Sequence, residues 1–377
     1  MVATVGIVGS GQLARMTYQA GISLGVPVRV LADRPDEAAA AVAADLSFGR
    51  ADRAEDLAVF ARTCDVLTFD HELVDLEALE GLERSGVAVR PGAATLVCAV
   101  DKAVARRRFS ASGLPVPAFA EVDDPADVEA FAERTGWPVV LKAARGGYDG
   151  RGVWVVAGRT EARTVVEDAR RVGLRLLVEA HVPISRELAV MVARRPAGEA
   201  VVYPVVETVQ ADGMCREVRR HRDLSDEVAD AAGALGLQVA KELDATGVLA
   251  VELFDTPGGL VVNEIAARPH NSGHWTIEGA VTSQFENHLR AVLDLPLGLT
   301  DPLAPAVVMV NVIGPAAGVD PSAGLARALA VPGAHIHLYA KTARPGRKLG
   351  HVTVLGDDPE EAAERAWAAA TALVGAP

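Results

Sequence analysis

The sequence has 377 residues, of which 50% are hydrophobic, and its formal net charge is -13 at pH 7. This length exceeds what one ordinary core uses, so we expect two or three domains. The negative charge argues against a general nucleic-acid or acidic-membrane binder, so an anionic ligand must meet a local basic cluster. The cysteines Cys64, Cys98 and Cys215 have no metal-binding spacing, and neither a signal peptide nor a membrane span is apparent. We therefore expect a cytoplasmic protein with reduced thiols.

The first hundred residues alternate between runs rich in β-branched residues and alanine-rich stretches. Continuous apolar runs are typical of strands buried on both faces, and the stretches between them have a helical composition. The alternation predicts a doubly wound parallel sheet over residues 1–100. The predicted elements are strands at 2–8, 26–31, 65–69 and 87–90 and a helix at 12–24.

Two loops of this segment could bind a ligand. Gly9-Ser10-Gly11, followed by Gln12-Leu13-Ala14, matches G-x-G-x-x-A after a strand, and Asp33 ends the next strand. A domain that binds NAD or a flavin is therefore an alternative, although a sugar phosphate or simple packing would use the same weak pattern. The run Thr68-Phe69-Asp70-His71-Glu72 lies just beyond a strand's carboxyl end, where open α/β sheets bind ligands.

A basic helix and a glycine-rich loop follow. Residues 101–112 predict the helix, residues 113–117 break it, and Lys102 within it could reach a phosphate. A predicted strand with Lys142 then leads into RGGYDGRG at 145–152. Glycine backbone N–H groups with flanking cations suit a polyphosphate, and no Walker A pattern is present. The segment predicts a lid that closes on ATP, with a mobile exposed hairpin as the alternative.

The apolar run at 176–182 predicts a strand that ends in polar residues. Such an end could present backbone groups to adenine, while Glu187 takes a ribose hydroxyl. Residues 186–206 and 247–265 predict further strands of a largely antiparallel sheet, with a helix near 225–243 between them.

Residues 247–265 have the pattern of an antiparallel hairpin, with β-branched runs on either side of a turn sequence. If the turn is centred on Gly258, Glu252 and Glu264 lie opposite each other on the same side of the sheet. Facing carboxylates repel unless a proton or a cation lies between them, and oxygen ligands at this spacing suit Mg²⁺. An exposed hairpin with two solvated glutamates is the alternative.

Two polar segments follow the hairpin. The first, RPHNSGHW at 268–275, is typical of a loop that holds a ligand. The second, at 341–351, places Lys341, Arg344, Arg347 and Lys348 around a Pro-Gly turn. Such local positive charge in an acidic protein predicts a site for a phosphate-bearing substrate, with a solvated basic turn as the alternative.

Together these segments resemble the ATP-grasp superfamily and, within it, the N5-carboxyaminoimidazole ribonucleotide synthetases. The resemblance covers nearly the whole chain, and its most specific parts are 146–152, 263–275 and the basic turn. It implies carboxylation of 5-aminoimidazole ribonucleotide by bicarbonate and ATP, through carboxyphosphate, to N5-carboxyaminoimidazole ribonucleotide, ADP and phosphate in purine biosynthesis. It also implies Mg²⁺, or Mn²⁺ in its place, and a homodimer.

The implied fold combines α/β and α+β parts. An N-terminal doubly wound parallel-sheet domain would span 1–100. An ATP-grasp domain would span 101–300, with a lid at about 113–183 and a central antiparallel sheet. A small C-terminal domain would span 301–377.

The resemblance also assigns residues to ligands. Glu252 and Glu264 would hold the metal. The nucleotide would contact Lys102, Lys142, Gly147, Tyr148, Asp149, Gly150, Glu179, Ala180, Val182, Glu187, Asn263 and Glu264. Bicarbonate and the ribonucleotide would lie among Tyr148, Asp149, Arg151, Arg268, His270, Asn271, Lys341, Arg347 and Lys348. Lys142 and Arg268 would stabilise charge during phosphoryl transfer, and His270 or Asp149 could take the amine's proton.

Three positions or segments depart from the family pattern. Asp70 stands where a glutamate is usual, residues 207–210 (ETVQ) lack the usual asparagine and histidine, and RRHR at 219–222 replaces a stretch with proline and alanine.

Two other functions are alternatives. A formate-using ATP-grasp transformylase of glycinamide ribonucleotide would share the lid and the metal acids, and only segments 268–275 and 341–351 argue against it. A non-catalytic nucleotide-binding protein is disfavoured, because a binding module has little need for a metal site.

Overall fold

The computed structural model describes residues 3–147, 151–220, 224–315 and 318–375. The N-terminal strands are β1 (Val5–Val8), β2 (Val28–Ala32), β3 (Leu46–Phe48), β4 (Val66–Phe69) and β5 (Ala88–Val89). They form a parallel sheet in the order β3-β2-β1-β4-β5. The helices of this part are α1 (Gln12–Leu24), α2 (Ala54–Ala61), α3 (Leu76–Arg84) and α4 (Ala93–Val100). β1 and β4 are buried along their whole length, which explains why their sequences are continuous apolar runs.

Helix α5 (Lys102–Ala111) connects this part to a small antiparallel sheet. The strands of that sheet are β6 (Phe119–Val122), β7 (Val139–Ala143), β8 (Val153–Val156) and β9 (Leu176–Ala180), in the order β6-β9-β7-β8. Helices α6 (Pro125–Thr135) and α7 (Arg159–Arg171) pack against it. Their apolar residues Val128, Phe131 and Val166 share a core with Val139 and Leu141 of the sheet.

A large antiparallel sheet occupies the rest of the chain. Its strands are β10 (Arg186–Arg194), β11 (Ala200–Val202), β12 (Val206–Ala211), β13 (Met214–Arg220), β14 (Gly247–Thr256), β15 (Gly259–Ala266), β16 (Ala306–Ile313), β17 (Ala334–Leu338) and β18 (Lys348–Gly356). The order is β15-β14-β10-β12-β13-β16-β18-β17, and β11 pairs with β10. The helices are α8 (Asp226–Glu242), α9 (Thr276–Gly279), α10 (Gln284–Val292), α11 (Leu325–Leu329) and α12 (Pro359–Val374). Because β13 pairs with β16, the C-terminal strands extend the central sheet.

The predicted fold class is confirmed, and the differences lie at the ends of elements. The predicted helix at 12–24 has these bounds, whereas the strand predicted at 2–8 begins at Val5. The strand predicted at 176–182 ends at Ala180, because its neighbour β7 begins only at Val139, directly after Pro138. None of the helices in the described part of the chain has the length and apolar character that crossing a membrane requires.

Two glycines of α8 give a matched test of how this helix packs on the large sheet. A Cβ at Gly236 would lie 2.8 Å from Val190 Cγ1, whereas a Cβ at Gly233 would lie 3.7 Å from Val202. We expect Gly236→Ala to lower the free energy of unfolding by about 1–3 kcal/mol, because valine is stiff and cannot move aside. Gly233→Ala should raise it by about 0.5–1 kcal/mol through helix propensity. Urea unfolding of both variants measures the difference, and equal effects would contradict this packing.

Candidate active site

A β-bulge places the two predicted metal ligands opposite each other. In the hairpin of β14 and β15, Thr256 pairs with Gly259 across a two-residue turn. In that register Glu252 would face Asn263, but the pairing shifts by one residue, so Glu252 pairs with Glu264. Asn263 is therefore the extra residue of a bulge. The sequence predicts the same pairing from a symmetric turn, whereas in the structure the bulge produces it.

The bulge also turns two consecutive side chains away from the core. Val262 and Ile265 are buried, while Asn263 and Glu264 between them are both partly exposed. Regular strand alternation would bury one of the two, and a bulge is a common way to redirect a side chain next to an active site. Three polar side chains are thus gathered at one point of the hairpin, with Glu252 as the third.

The environment of Glu252 fits a bound cation. Burial, followed by the negative charges of Glu264 and Glu187, raises the pKa of Glu252 to about 7. Paired oxygen ligands that repel each other suit a divalent ion such as Mg²⁺. Across the described residues there is no cluster of three or more His, Cys, Asp or Glu side chains that would hold a metal. An ion at this pair would therefore keep positions for water and phosphate oxygens, which is the usual manner of Mg²⁺ binding.

Two lysines from other elements contact the bulge. Lys102, at the start of α5, donates to Glu264 Oε1 at 2.6 Å. Lys142, on β7, donates to Asn263 Oδ1 at 3.0 Å and lies 2.7 Å from Glu179 Oε2. Burial lowers the pKa of Lys142, although the negative charge of Glu179 opposes that shift. The structure thus brings together, around one hairpin, five of the residues assigned to the nucleotide.

Arg106 is a buried member of this group that no sequence motif singles out. Its Nε donates to Glu179 Oε1 at 2.6 Å. Burial alone would raise the pKa of Glu179, but the positive charges of Arg106 and Lys142 outweigh it and lower the pKa. Cations thus occupy both carboxylate oxygens of Glu179. In the sequence, Arg106 could have been identified by its i, i+4 spacing from Lys102, because this spacing puts both cations on one face of the helix.

The large sheet provides a second wall beside these lysines. Glu187 on β10 pairs with Phe254 on β14, and Phe254 lies two residues after Glu252 in the same strand. Glu187, Phe254 and Glu252 therefore share one face of the sheet. Lys142 Nζ lies 6.0 Å from the centre of the Phe254 ring, so the small and large sheets face each other here. Ala180 is the last residue of β9, and Val182 lies in the irregular segment that follows.

The glycine-rich loop joins β7 and β8, which pair as the predicted hairpin. The predicted ligands Tyr148, Asp149 and Gly150 lie outside the described residues. A Cβ at Gly147 would lie 2.8 Å from the backbone oxygen of Arg151, so the backbone approach at this turn requires glycine. Arg145, at the start of the loop, donates to Asp101 Oδ2 at 2.8 Å, and Asp101 caps α5. The loop is therefore attached to the helix that carries Lys102.

The polar loop after β15 is held by contacts with two other segments. Arg268 Nε donates at 2.7 Å to Oε2 of Glu72, which lies beyond the carboxyl end of β4. Gln284 is fully buried, and it accepts from His270 N at 2.9 Å and donates to His270 O at 2.8 Å. Gly273 is needed in this loop, because a Cβ there would lie 2.5 Å from Gln284 Oε1.

His270 lies beside the acids as a neutral imidazole. Burial, together with the positive charges of Arg268 and Lys348, lowers the pKa of His270 to about 3. Its Nδ1 lies 2.9 Å from Ser272 Oγ, and its Nε2 lies 3.8 Å from Glu252 Oε1. The ring is free to accept a proton near pH 7, but a pKa this low makes it a weak base.

Asn271 has a contact that its predicted role did not include. Its side chain forms a reciprocal amide pair with Asn311 of β16, with both hydrogen bonds at 2.8 Å. Asn311 also donates to the backbone oxygen of Cys215 at 3.0 Å. Asn271 therefore anchors the polar loop to the C-terminal strands.

The basic turn approaches the N-terminal part of the chain. Lys341 Nζ donates to the side-chain oxygen of Gln12 in α1, and Arg347 donates to the backbone oxygen of Thr342 at 3.0 Å. Burial, with help from the charge of Arg347, lowers the pKa of Lys341 to about 8. Lys348 begins β18, and its positive charge acts on both Glu252 and His270. Of the predicted substrate cations in this turn, Lys348 therefore lies within electrostatic reach of the hairpin acid Glu252.

The glycine turn after β1 does not have the geometry of a dinucleotide site. Asp70 Oδ2 accepts from Gly11 N at 2.7 Å, and Asp70 Oδ1 accepts from Ala14 N at 2.8 Å. A Cβ at Gly11 would lie 2.5 Å from Asp70 Oδ2, so the glycine admits this carboxylate. The N-terminus of α1, where a pyrophosphate would bind, is therefore filled by the protein's own anion. The NAD or flavin alternative was wrong for this reason.

The raised pKa of Glu252 predicts a pH-dependent stability in the absence of metal. Relative to an ordinary value of 4.5, a folded-state pKa of about 7 stabilises the protein at low pH. That contribution is lost as the pH rises through about 7, because the folded state must then ionise a carboxyl that faces another. Glu252→Gln cannot ionise, so its Tm advantage over wild type in EDTA should grow by a few degrees between about pH 5 and about pH 8. The exposed control Glu227→Gln should give the same Tm difference at both pH values, and a constant difference for Glu252→Gln would contradict this electrostatics.

Three family models match the chain in succession. Residues 2–100 match the ribonucleotide synthetase preATP-grasp domain, residues 107–285 the ATP-grasp domain, and residues 307–365 the phosphoribosylaminoimidazole carboxylase C-terminal domain. These matches cover the parallel sheet, the paired acids and the basic turn, so the features described above fall within family regions.

Similar proteins and structures span nearly the whole chain. The N5-carboxyaminoimidazole ribonucleotide synthase of Mycobacterium tuberculosis is 50% identical over 372 residues, covering 97% of this chain and 86% of the relative. The Thermus thermophilus N5-carboxyaminoimidazole ribonucleotide synthetase structure is 39% identical, with a TM-score of 0.87 and 99% of each chain covered. An Aspergillus clavatus N5-carboxyaminoimidazole synthase, in complex with ADP and 5-aminoimidazole ribonucleotide, is 32% identical, with a TM-score of 0.88 and 98% of each chain covered. The chain therefore belongs to the ATP-grasp enzymes and, among them, to the N5-carboxyaminoimidazole ribonucleotide synthase family.

Proposed function

We propose that this chain uses ATP and bicarbonate to carboxylate 5-aminoimidazole ribonucleotide, which gives N5-carboxyaminoimidazole ribonucleotide, ADP and phosphate. The observation that carries the proposal is the convergence of two kinds of site on one hairpin. The facing acids and two lysines suit a triphosphate. Two cations whose charges interact with those acids, Arg268 and Lys348 of the basic turn, suit a ribonucleotide phosphate. The family relationship supports the same reaction over the formate-dependent alternative.

The nucleotide would lie between the small and the large sheet. Lys102, Lys142 and Asn263 would meet its phosphates, and the loop containing Gly147, Tyr148, Asp149 and Gly150 would cover them. The backbone of Glu179, Ala180 and Val182 would meet adenine, and Glu187 would take a ribose hydroxyl. Glu252 and Glu264 would hold Mg²⁺ or Mn²⁺, which supplies charge neutralisation at the phosphate oxygens when bound.

Bicarbonate must be activated before the exocyclic amine can attack it, because it is a poor electrophile. ATP would convert it to carboxyphosphate, and Lys142 and Arg268 would stabilise the negative charge of that transfer. Closure of the glycine-rich loop would exclude water, which would otherwise hydrolyse the intermediate. His270 or Asp149 would take the proton that the amine loses.

The ribonucleotide would bind where the polar loop and the basic turn meet. Lys341, Arg347 and Lys348 would hold its phosphate, and Tyr148, Asp149, Arg151, His270 and Asn271 would surround its base and bicarbonate. The pairing of Asn271 with Asn311 supports an anchoring role for that residue.

We also propose the division into domains at 1–100, 101–300 and 301–377, with the lid at about 113–183. Limited proteolysis with and without ATP tests the lid, since closure should protect the glycine-rich loop.

A cytoplasmic homodimer is proposed as well. The three free cysteines support a reducing compartment, and sedimentation equilibrium tests the dimer.

The proposed reaction is tested by ADP release from the pure protein with Mg²⁺ and bicarbonate. We expect rapid release only when 5-aminoimidazole ribonucleotide is present, because the amine traps the activated carboxyl group. Formate with glycinamide ribonucleotide should give only background release. Faster release with that second pair would favour the transformylase alternative instead.

Glu264→Ala tests the paired acids. We expect kcat to fall by at least about 10³-fold, because the phosphates lose a positioned charge, while the circular dichroism spectrum stays unchanged. The exposed control Glu227→Ala should keep wild-type kcat. Retained turnover in Glu264→Ala would remove this residue from the site.

The lowered pKa of Lys341 predicts a pH-dependent affinity for the ribonucleotide. A lysine with a pKa of about 8 is charged below that pH and neutral above it. We expect the KM for 5-aminoimidazole ribonucleotide to rise by roughly tenfold between about pH 7 and about pH 9 as the phosphate loses this partner. Lys341→Arg stays charged over that range and should flatten the profile. An equal rise in both proteins would exclude Lys341 as the titrating group.

A further inference from the structure

A closed ring of polar contacts underlies the proposed nucleotide site. Arg106 Nε donates to Glu179 Oε1 at 2.6 Å, and Lys142 Nζ lies 2.7 Å from Glu179 Oε2. Lys142 Nζ also donates to Asn263 Oδ1 at 3.0 Å. Arg106 Nη2 donates to the backbone oxygen of Asn263 at 2.7 Å, which closes the ring. The four residues join α5, β9, β7 and β15, so the ring connects the small sheet to the large one.

The three charged side chains of the ring are almost completely withdrawn from solvent. The side chains of Arg106, Glu179 and Lys142 are 2%, 3% and 9% exposed. Charges in such a place are costly unless each has partners, and loss of one partner leaves another charge uncompensated. The geometry of the ring is therefore constrained by its own electrostatics.

Arg106 changes the net charge of the ring. Without Arg106, Lys142 and Glu179 would form an ion pair with no net charge. Such a pair would attract a phosphate only weakly. With Arg106 also bound to Glu179, two cations share one anion. With Lys142 protonated the ring carries one net positive charge, and Lys142 Nζ lies 6.0 Å from the centre of the Phe254 ring, on the side of the proposed cleft. A positive charge that is fixed in a buried site stabilises a bound anion more than a solvent-exposed positive charge does.

Arg106 also supports the bulge. Asn263 is the extra residue between two regular ladder positions, so it interrupts the regular pairing of β14 with β15. The guanidinium donates to the backbone oxygen of this extra residue at 2.7 Å, and a partly buried carbonyl needs such a donor. The same bulge brings Glu264 opposite Glu252, so the contact supports the placement of the proposed metal ligands.

We propose that Arg106 is a positioning residue for phosphoryl transfer, which keeps the charge of Lys142 available to ATP and fixes the Asn263 bulge. This inference rests on the proposed function. Arg106 acts through Lys142 and Asn263, and it does not touch the reacting atoms.

Replacement of Arg106 by methionine and by lysine separates its two contributions. Arg106→Met leaves a neutral pair and an unpaired carbonyl, so we expect kcat to fall by about 10²-fold and the KM for ATP to rise by about tenfold. The KM for 5-aminoimidazole ribonucleotide should stay within about twofold of wild type. Arg106→Lys keeps the charge but cannot reach Glu179 and Asn263 together, so the KM for ATP should recover while kcat stays low. Arg107→Met, an exposed neighbour on the same helix, should match wild type.

The double variant Arg106→Met/Glu179→Gln provides a second test that does not depend on the stability of the single variant. It restores one net positive charge at Lys142 while the bulge carbonyl stays without its donor. We expect the affinity for a non-hydrolysable ATP analogue with Mg²⁺, measured by calorimetry, to return toward wild type. The kcat for ADP release should remain low.

Three outcomes would overturn the inference. These are wild-type kcat and KM values in Arg106→Met, an equal rise in KM for both ATP and the ribonucleotide, and no recovery of analogue affinity in the double variant. Wild-type ADP release with bicarbonate and 5-aminoimidazole ribonucleotide is measured in parallel. If wild type itself does not turn over, the proposed function fails, whereas a normal wild type with an unaffected Arg106→Met removes only the role of Arg106.

Discussion

The repulsion between two facing carboxylates is the constraint on which the site depends. Glu252 and Glu264 are held opposite each other by a bulge at Asn263, and burial makes ionisation of Glu252 unfavourable at neutral pH. A sheet normally avoids such a pair, because like charges directly across a ladder destabilise it. A divalent ion bound between the acids, as proposed above, would relieve this repulsion. The hairpin without ligand is therefore locally destabilised, and the bound ligand would restore that stability.

Positive charge is distributed around these acids from separate parts of the chain. Lys102 comes from α5, Lys142 from the small sheet, and Lys348 from the start of a C-terminal strand. The protein as a whole is acidic, so this local concentration of cations requires tertiary structure. Arg106 adds a buried charge that leaves Lys142 only partly neutralised by Glu179. The electrostatics of the site is therefore a property of the assembled sheets.

The N-terminal and C-terminal parts contribute to the same site through a few specific contacts. Glu72, beyond the edge of the parallel sheet, holds Arg268, and Gln12 of α1 accepts from Lys341. Asn311 of the C-terminal strands pairs with Asn271 of the polar loop. These contacts explain why a chain with three successive family regions places one candidate site where they meet. The glycine turn of the parallel sheet has a separate role, because Gly11 N and Ala14 N donate to Asp70.

Much of the fold and the candidate site follows from local sequence. The pairing of Glu252 with Glu264 was predicted from a symmetric turn, whereas the bulge at Asn263 produces it. Buried apolar runs predict the parallel strands, and the glycine-rich loop between two strands predicts the hairpin after Lys142. Such features depend on neighbours a few residues away, so periodicity and turn chemistry are enough to predict them. The ring of Arg106, Glu179, Lys142 and Asn263 could not be predicted in this way. Its members are separated by up to 157 residues, and their partners were decided only when α5 and the two sheets packed together and excluded water from their charges.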